Sequence, residues 1–231
     1  MPLLKLVKSK VNFAKQTEEY YNAIRTNIQF SGTQMKVIAI SSVEAGEGKS
    51  TTSVNLAISF ASVGLRTLLI DADTRNSVLS GTFKSNEPYK GLSNFLSDLN
   101  ETICQTDISG LDVIASGPVP PNPTSLLQND NFRHLMEVAR SRYDYVIIDT
   151  PPIGSVIDAA VISKVCDGGI LVIGAGDISY KFARKSKEQL EMTGCKLLGC
   201  VLNKVDMAGN SYYGKYYGKY YGKYYGHGDN N

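Results

Sequence analysis

Hydrophobic positions fall into two rhythms along the chain. Short apolar runs of strand length recur at Lys36–Ser42, Thr67–Ile70, Leu111–Ala115, Tyr145–Ile148, Gly169–Ile173 and Leu197–Leu202, and helical patterns fill the intervals between them. Runs that are continuously apolar, rather than alternating, belong to strands covered on both faces. The pattern therefore predicts an α/β fold with a mostly parallel sheet and helices on both faces. Near the N-terminus, Thr17-Glu18-Glu19 reads as a helix N-cap followed by acidic first-turn residues. Tyr20, Ile24 and Ile28 then recur every four residues, the stripe of an amphipathic helix over about 17–30. That stripe docks either on the domain's own surface or at a subunit interface.

Two segments break the rhythm. Gly117-Pro118-Val119-Pro120-Pro121-Asn122-Pro123 is neither helix nor central strand, because proline lacks a backbone donor and restricts the residue before it. It is expected to be a stiff surface loop leading into a helix near Thr124. After Asp206 the sequence repeats Tyr-Tyr-Gly-Lys three times and closes as Tyr224-Tyr225-Gly226-His227. One glycine in every four residues, with no aliphatic side chain, leaves little to bury against the entropy of ordering, so this segment is predicted to be disordered. The chain thus divides into a domain at 1–206 and a Tyr/Gly/Lys tail at 207–231.

Composition narrows the class. With 42% hydrophobic and 20% charged residues among 231, a wholly disordered, collagen-like or coiled-coil chain is excluded. Of the 24 basic and 22 acidic residues, Lys215, Lys219, Lys223 and Asp229 lie in the tail, which leaves 21 of each sign in the body. A neutral body offers no electrostatic footprint for nucleic acid, and none is expected as a partner. Cys104, Cys166, Cys195 and Cys200 form no CxxC pair, as expected of reduced thiols. No apolar run approaches the roughly 18 residues of a membrane span, and Met1–Lys10 lacks a secretory signal's apolar stretch. The expected location is the cytoplasm, with any membrane association made through a partner.

The chemistry concentrates after the first strong strand. Lys36–Ser42 runs into Val43-Glu44-Ala45-Gly46-Glu47-Gly48-Lys49-Ser50-Thr51, and a helix is expected to follow through Ala61 until Gly64 breaks it. A glycine-rich turn between strand and helix cradles phosphate, because backbone N–H groups converge on the anion at the positive helix end while Lys49 neutralises the terminal phosphates. Ser50 is placed to offer its hydroxyl to Mg²⁺. The match to G-x-x-x-x-G-K-[ST] departs at its first position, where Val43 replaces glycine. A dinucleotide fingerprint, Gly46-x-Gly48 with Asp71 about 20 residues on, fails at its third glycine, where Thr51 stands. Two apolar strands deliver further carboxylates at their ends: Asp71-Ala72-Asp73 and Asp149-Thr150-Pro151-Pro152. Ligands of open parallel sheets bind beyond these strand ends, so Asp71, Asp73 and Asp149 are candidates to meet the phosphates. Ser50, Asp73 and Asp149 are read as Mg²⁺ ligands, direct or through water, and Asp71 as the group that orients or deprotonates an attacking hydroxyl.

Together the loop ending Gly46-Glu47-Gly48-Lys49-Ser50, the run Leu69-Ile70-Asp71-Ala72-Asp73-Thr74-Arg75, the run Val146–Asp149, Pro120-Pro121-Asn122-Pro123 and the tyrosine tail resemble the bacterial tyrosine kinases (BY-kinases), and among them the capsular polysaccharide type of Gram-positive cocci. The likeness covers roughly Phe13–Asp206. It implies a P-loop NTPase-like domain that binds ATP with Mg²⁺ through Ala45, Gly46, Glu47, Gly48, Lys49, Ser50 and Thr51, with Asn203 near the adenine. Lys49, Asp71, Asp73 and Asp149 become the catalytic set, and the acceptors become Tyr212, Tyr213, Tyr216, Tyr217, Tyr220, Tyr221, Tyr224 and Tyr225. It further implies phosphorylation in trans within a homo-oligomeric ring, and a membrane-embedded activator of the polysaccharide chain-length regulator type docking through its cytoplasmic segment. A cognate phosphotyrosine phosphatase and control of capsular polysaccharide synthesis and export complete the implied setting. Two positions depart from the relatives' patterns. Glu44 stands where the DNA-partitioning and division-site relatives carry a signature lysine, and Glu19-x-x-Asn22-x-x-Arg25 lacks the middle arginine of the ring-assembly pattern.

Two other functions fit parts of the same sequence. Asn203-Lys204-Val205-Asp206 spells the pattern with which GTPases read guanine, which would make the chain a guanine-nucleotide switch. A non-catalytic scaffold that binds nucleotide and recruits partners through its tyrosines is the other. Neither accounts for both the carboxylates and the tail.

Overall fold

The computed structural model describes residues 2–99 and 102–205. Asp206 and the tail, with all eight candidate phosphoacceptors, lie outside the described residues. Within them the chain runs through Leu3–Leu6 (β1), Lys8–Gln16 (α1), Glu18–Phe30 (α2), Val37–Ser42 (β2), Lys49–Ala61 (α3), Thr67–Asp71 (β3) and a single 3₁₀ turn at Leu79–Gly81. It continues through Phe83–Lys84 (β4), Leu92–Asp98 (α4), Cys104–Thr106 (β5), Leu111–Ile114 (β6), Pro123–Leu127 (α5) and Asp130–Arg142 (α6). Tyr145–Asp149 (β7), Asp158–Ser163 (α7), Gly168–Gly174 (β8), Tyr180–Glu191 (α8) and Lys196–Asn203 (β9) complete it.

Among the described residues the strands form one sheet in the order β4-β1-β5-β6-β3-β7-β2-β8-β9. The six strands from β6 to β9 are parallel throughout. Antiparallel pairing is confined to β5 with β6 and β1 with β4. Six apolar runs predicted from the sequence are the six parallel strands, so the mostly parallel sheet is as expected.

The two-residue period of a strand sends alternate side chains to opposite faces. Ile38 and Ile40 of β2, Leu69 of β3 and Ile147 of β7 pack with Val54, Ala57 and Phe60 of α3 and with Tyr21 and Ile28 of α2. Val37, Leu68, Ile70, Val146 and Ile148 face the other way, onto Leu92 and Leu96 of α4 and Phe132, Leu135 and Met136 of α6. The core is thus two layers divided by the sheet. Phe60 also stacks on Tyr145 at 3.9 Å between ring centroids, fixing the far end of α3 against the start of β7.

The expected N-terminal helix is present, but its details differ. Thr17 ends α1 and precedes α2, and its hydroxyl donates back to the Phe13 carbonyl at 2.8 Å instead of capping α2. The chain is already helical before Thr17, so there is no extended backbone there to place the side chain over the next turn. The buried stripe is Tyr21, Ile24 and Ile28, whereas Tyr20 is 53% exposed. This stripe docks on the domain's own α3. A polar clasp holds the two helices together: Arg25 Nη1 donates to Asn22 Oδ1, to the Ser59 carbonyl at 2.6 Å and to Ser59 Oγ, whose own hydroxyl donates to Asn22 Oδ1 at 2.8 Å. Replacing Arg25 with alanine removes a donor from the buried Ser59 and leaves Asn22 Oδ1 with the Ser59 hydroxyl alone. The expected cost is about 1–3 kcal/mol in chemical denaturation, without change of fold.

Candidate functional site

Strand register builds the floor of the site. β3 and β7 are parallel neighbours in which Leu69 sits opposite Ile147 and Asp71 opposite Asp149. Asp71 lies two residues beyond Leu69, and Asp149 two beyond Ile147. Both carboxylates therefore emerge on the α3 face at the carboxyl edge of the sheet. Both residues are fully buried. α3 meets them with its first two turns, where Ser53 Oγ donates to Asp149 Oδ1 at 3.0 Å and Lys49 Nζ reaches Asp73 Oδ2 at 3.0 Å. Ser50 Oγ is 3.4 Å from the same ammonium. Asp71 accepts from the Ser77 hydroxyl and from the Asp73 N–H, and Asp73 Oδ1 caps the Asn76 N–H at 3.0 Å. The four predicted catalytic residues, Lys49, Asp71, Asp73 and Asp149, are thus brought into one buried group.

The phosphate loop above this floor is held open by its own side chains. Gly46 and Gly48 take positive φ, 86° and 96°, and Gly48 is the residue from which α3 starts. A Cβ on Gly48 would come within 2.1 Å of Asn203 Nδ2, so glycine is required there for close approach as well as for backbone conformation. Asn203 Nδ2 donates to the Glu47 carbonyl at 2.8 Å. Glu47, predicted among the nucleotide contacts, turns its carboxylate inward: Oε2 accepts from the Glu44 N–H at 2.7 Å and Oε1 from the Gly174 N–H at 2.9 Å. It braces the loop against the end of β8 and leaves the exposed Ala45 and Gly46 at the rim. Thr51 lies in the first turn of α3, where its carbonyl accepts from Asn55. Val43, the departure from the phosphate-loop pattern, is 2% exposed and packs with Ile153, Ala159 and Leu171, so its side chain points into the core below the loop.

A third set of contacts was not foreseen from the sequence. Arg75 bonds Asp158 through Nε and through Nη2 at 3.2 Å, and Nη2 also reaches Thr124 Oγ1 at 3.1 Å. Thr124 in turn donates to Asp158. This buried aspartate ties the segment after β3 to the helix that follows the proline loop. The hydroxyls of Ser53 and Ser77 were likewise missed, since a single serine in a sequence carries no signal of its partner. Asp158 carried a weak one, as a charge within an apolar helix. Lys204 pairs with Asp177 at 2.7 Å, and the Asp206 of the guanine-reading pattern lies outside the described residues.

Three carboxylates facing one ammonium leave the site electrostatically unbalanced. Burial alone would lower the Lys49 ammonium, but the charges of Asp149, Asp73 and Asp71 outweigh it and raise it. Lys49 is a fixed cation. Burial first, then the adjacent Asp149 charge, push Asp71 up to about 7. Asp149 is also raised by burial, against the opposing pull of Lys49 and the nearby Ser50 and Ser53 hydroxyls. Its Oδ2 is buried without a hydrogen-bond partner among the described residues. Such an orphaned carboxylate oxygen beside a phosphate loop fits a hard divalent cation. No cluster of three or more His, Cys, Asp or Glu side chains is arranged as a metal cage among the described residues. Mg²⁺ does not need one, since it takes one or two carboxylates together with water and substrate phosphates.

This combination of sheet, loop and strand-end carboxylates is that of a P-loop nucleotide-binding protein. Residues 35–180 match the AAA domain family. Over 93% of this chain and 97% of its own length, the tyrosine-protein kinase CpsD of Streptococcus agalactiae is 56% identical. The chimerical protein CapA2B2 superposes with a TM-score of 0.80 at 36% identity, covering 87% of this chain and 92% of its own. The kinase domain of the Escherichia coli tyrosine kinase ETK gives 0.75 at 34% identity, over 83% and 77%. The chain belongs to the family of bacterial tyrosine-protein kinases. Nucleotide binding follows from that membership, and no helix among the described residues is long and apolar enough to cross a membrane.

The raised Asp71 makes a signed prediction about stability. Its carboxyl holds a proton to about 7 in the fold but only to about 3.9 in the unfolded chain. The folded state therefore binds more protons between these values, and stability falls as pH rises from about 4 to about 7. Asp71→Asn, which imitates the neutral acid, is expected to match the parent near pH 4 and to melt about 5 °C or more above it at pH 8. A difference in melting temperature that does not change with pH would remove this assignment.

Proposed function

We propose that this kinase is an ATP-dependent autokinase acting on the tyrosines of its own tail, Tyr212, Tyr213, Tyr216, Tyr217, Tyr220, Tyr221, Tyr224 and Tyr225, with Mg²⁺ at the site. The observation that carries the proposal is the buried Lys49 with Asp71, Asp73 and Asp149 at the base of the phosphate loop, in a chain that also holds eight tyrosines in one repeat. The bound MgATP would supply the phosphoryl group and part of the neutralising charge. The protein's own contribution to such a reaction is alignment and electrostatics.

Each side chain then has a role. Lys49, now bonded to Asp73 and near Ser50, would neutralise the terminal phosphates, and Asp73 would be a further ligand for the metal. Ser50 and Asp149 would hold Mg²⁺, Asp149 through the oxygen that lacks a partner among the described residues. Asp71 orients or accepts the proton of the attacking phenol, whose ordinary pKa near 10 leaves it neutral at physiological pH. The loop backbone from Ala45 to Thr51 receives the phosphates. Asn203, with Nδ2 committed to Glu47, has Oδ1 left to accept from the amino group of adenine. The division into a kinase domain at 1–206 and an acceptor tail at 207–231 is part of the same reading.

The setting follows the relatives. Resemblance to the bacterial tyrosine-protein kinases leads us to read the working form as a homo-oligomer phosphorylating in trans. The same reading includes a membrane-embedded activator whose cytoplasmic segment docks on the kinase, a phosphotyrosine phosphatase as its counterpart, and a place in capsular polysaccharide synthesis. In this chain Arg25, the last residue of the ring-assembly pattern, is engaged with Ser59 and Asn22 of its own domain.

Lys49→Met, incubated with MgATP and an activator peptide, is expected to lower tail phosphorylation by a factor on the order of 100 or more, read by mass spectrometry of the terminal peptide. Phosphorylation at the parent rate would overturn the proposal. Binding of labelled ATP without any phosphotyrosine in the parent chain would instead favour a scaffold.

A further inference from the structure

α8 presents an outer face unlike the rest of this neutral domain. Its sequence from Tyr180 to Glu191 carries Lys181, Arg184, Lys185 and Lys187 against Glu188 and Glu191. Ser186 and Leu190 are buried against the sheet side. Arg184 pairs with Glu188 at 3.1 Å and Lys187 with Glu191 at 2.8 Å. Lys181 and Lys185, one turn apart and exposed, have no ion pair among the described residues. On the two flanks stand Tyr180, 80% exposed, and Phe182, 57% exposed. The nearest acidic side chain at the start of the helix, Asp177, is taken by Lys204. The surface therefore offers two free ammonium groups between two aromatic rings.

We propose that this face of α8 binds the chain's own tail once its tyrosines carry phosphate. Lys181 and Lys185 take the phosphates, and Tyr180 and Phe182 pack on the phenyl rings. The inference rests on the reading of the tail tyrosines as phosphoacceptors. Its first support is where the described chain ends. The Ala175 N–H donates to the Asn203 carbonyl at 2.8 Å, and the Lys204–Asp177 pair fastens the last described residues to the loop that enters α8. Tyr212 follows Lys204 by eight residues, over which the root-mean-square reach is about 14–17 Å even on the compact scale of a glycine-rich coil. The first two turns of α8 from Tyr180 to Lys185 rise only about 8 Å. The tail needs no stretching to arrive.

The second support is sign. An unmodified tail carries Lys215, Lys219 and Lys223, of the same charge as the patch, and is not drawn to it. Each phosphate brings about −1.5 to −2 charges and three acceptor oxygens, which reverses the interaction. Attraction therefore depends on modification. Because α8 begins at the same carboxyl edge of the sheet as the phosphate loop, docking there draws the modified segment aside from the cleft. It also shields the phosphates from hydrolysis.

The test uses the full-length Lys49→Met chain, its tail phosphorylated by an added tyrosine kinase of another family, so that the result does not depend on this chain's own activity. The variant Lys181→Ala with Lys185→Ala is compared in the same background. In the parent surface, ³¹P NMR is expected to show phosphotyrosines titrating below their ordinary second pKa near 6. An added tyrosine phosphatase is expected to release phosphate about fivefold more slowly than from the double variant, a difference that high salt removes. Identical titration and release in the two proteins would overturn the proposal. So would protection that grows with protein concentration, which would place the docked tail on a neighbour's α8. Failure of the autokinase reading shows separately, as an unmodified tail in the wild-type chain given MgATP.

Discussion

The structure turns on two carboxylates placed side by side by a parallel ladder. Because Asp71 and Asp149 are in register on β3 and β7, neither can turn away from the other without shifting a strand. Burying two like charges costs several kcal/mol each unless cations and donors compensate them. α3 supplies one ammonium from Lys49 and one hydroxyl from Ser53, and the segment after β3 adds the Ser77 hydroxyl and the Asp73 N–H. That is less than the site demands, and the shortfall appears as a raised Asp71 and a partnerless Asp149 oxygen. A site under-neutralised in this way gains most from added positive charge, so the same feature that costs stability favours a cation near the phosphate loop.

The loop over these carboxylates is rigid for a separate reason. Glu47 spans from the Glu44 N–H to the Gly174 N–H, and Asn203 holds the Glu47 carbonyl. Three strands thereby contribute to the cradle: β2 enters it, and the ends of β8 and β9 brace it. Pre-set amides of this kind lose little entropy when an anion arrives, whereas a free glycine-rich turn would have to be ordered first.

How much of this the sequence announced depends on how local each signal is. The six parallel strands and α3 were readable because continuous apolar runs and a strand-turn-helix motif lie within a few consecutive residues. The terminal additions were not. α1 buries none of its residues, β4 has two residues and β5 three, so none carries a period long enough to detect. The choice of Tyr20 over Tyr21 as the docking residue shows the limit of spacing, since both tyrosines sit within one step of the Ile24–Ile28 face and only packing on α3 selects between them. Within the site, Lys49, Asp71, Asp73 and Asp149 announced themselves by position at strand and loop ends. The Arg75–Asp158–Thr124 tie and the inward turn of Glu47 join residues far apart in the chain, and their pairing exists only once the sheet has formed.

β9 connects these observations. It is the edge strand of the sheet, its last residue braces the phosphate loop, and the next lysine is fastened beside α8. The segment that carries the tyrosines therefore leaves the domain from a point mechanically joined to the nucleotide cradle. Any pull on the segment that follows acts on Lys204 and Asn203 before it reaches any other part of the fold. The Asn203 amide holds the Glu47 carbonyl through Nδ2, so a displacement of β9 by a fraction of an ångström alters that hydrogen bond first. The end of β9 and the phosphate loop are accordingly joined through a single side chain, and by linkage a displacement at either is felt at the other.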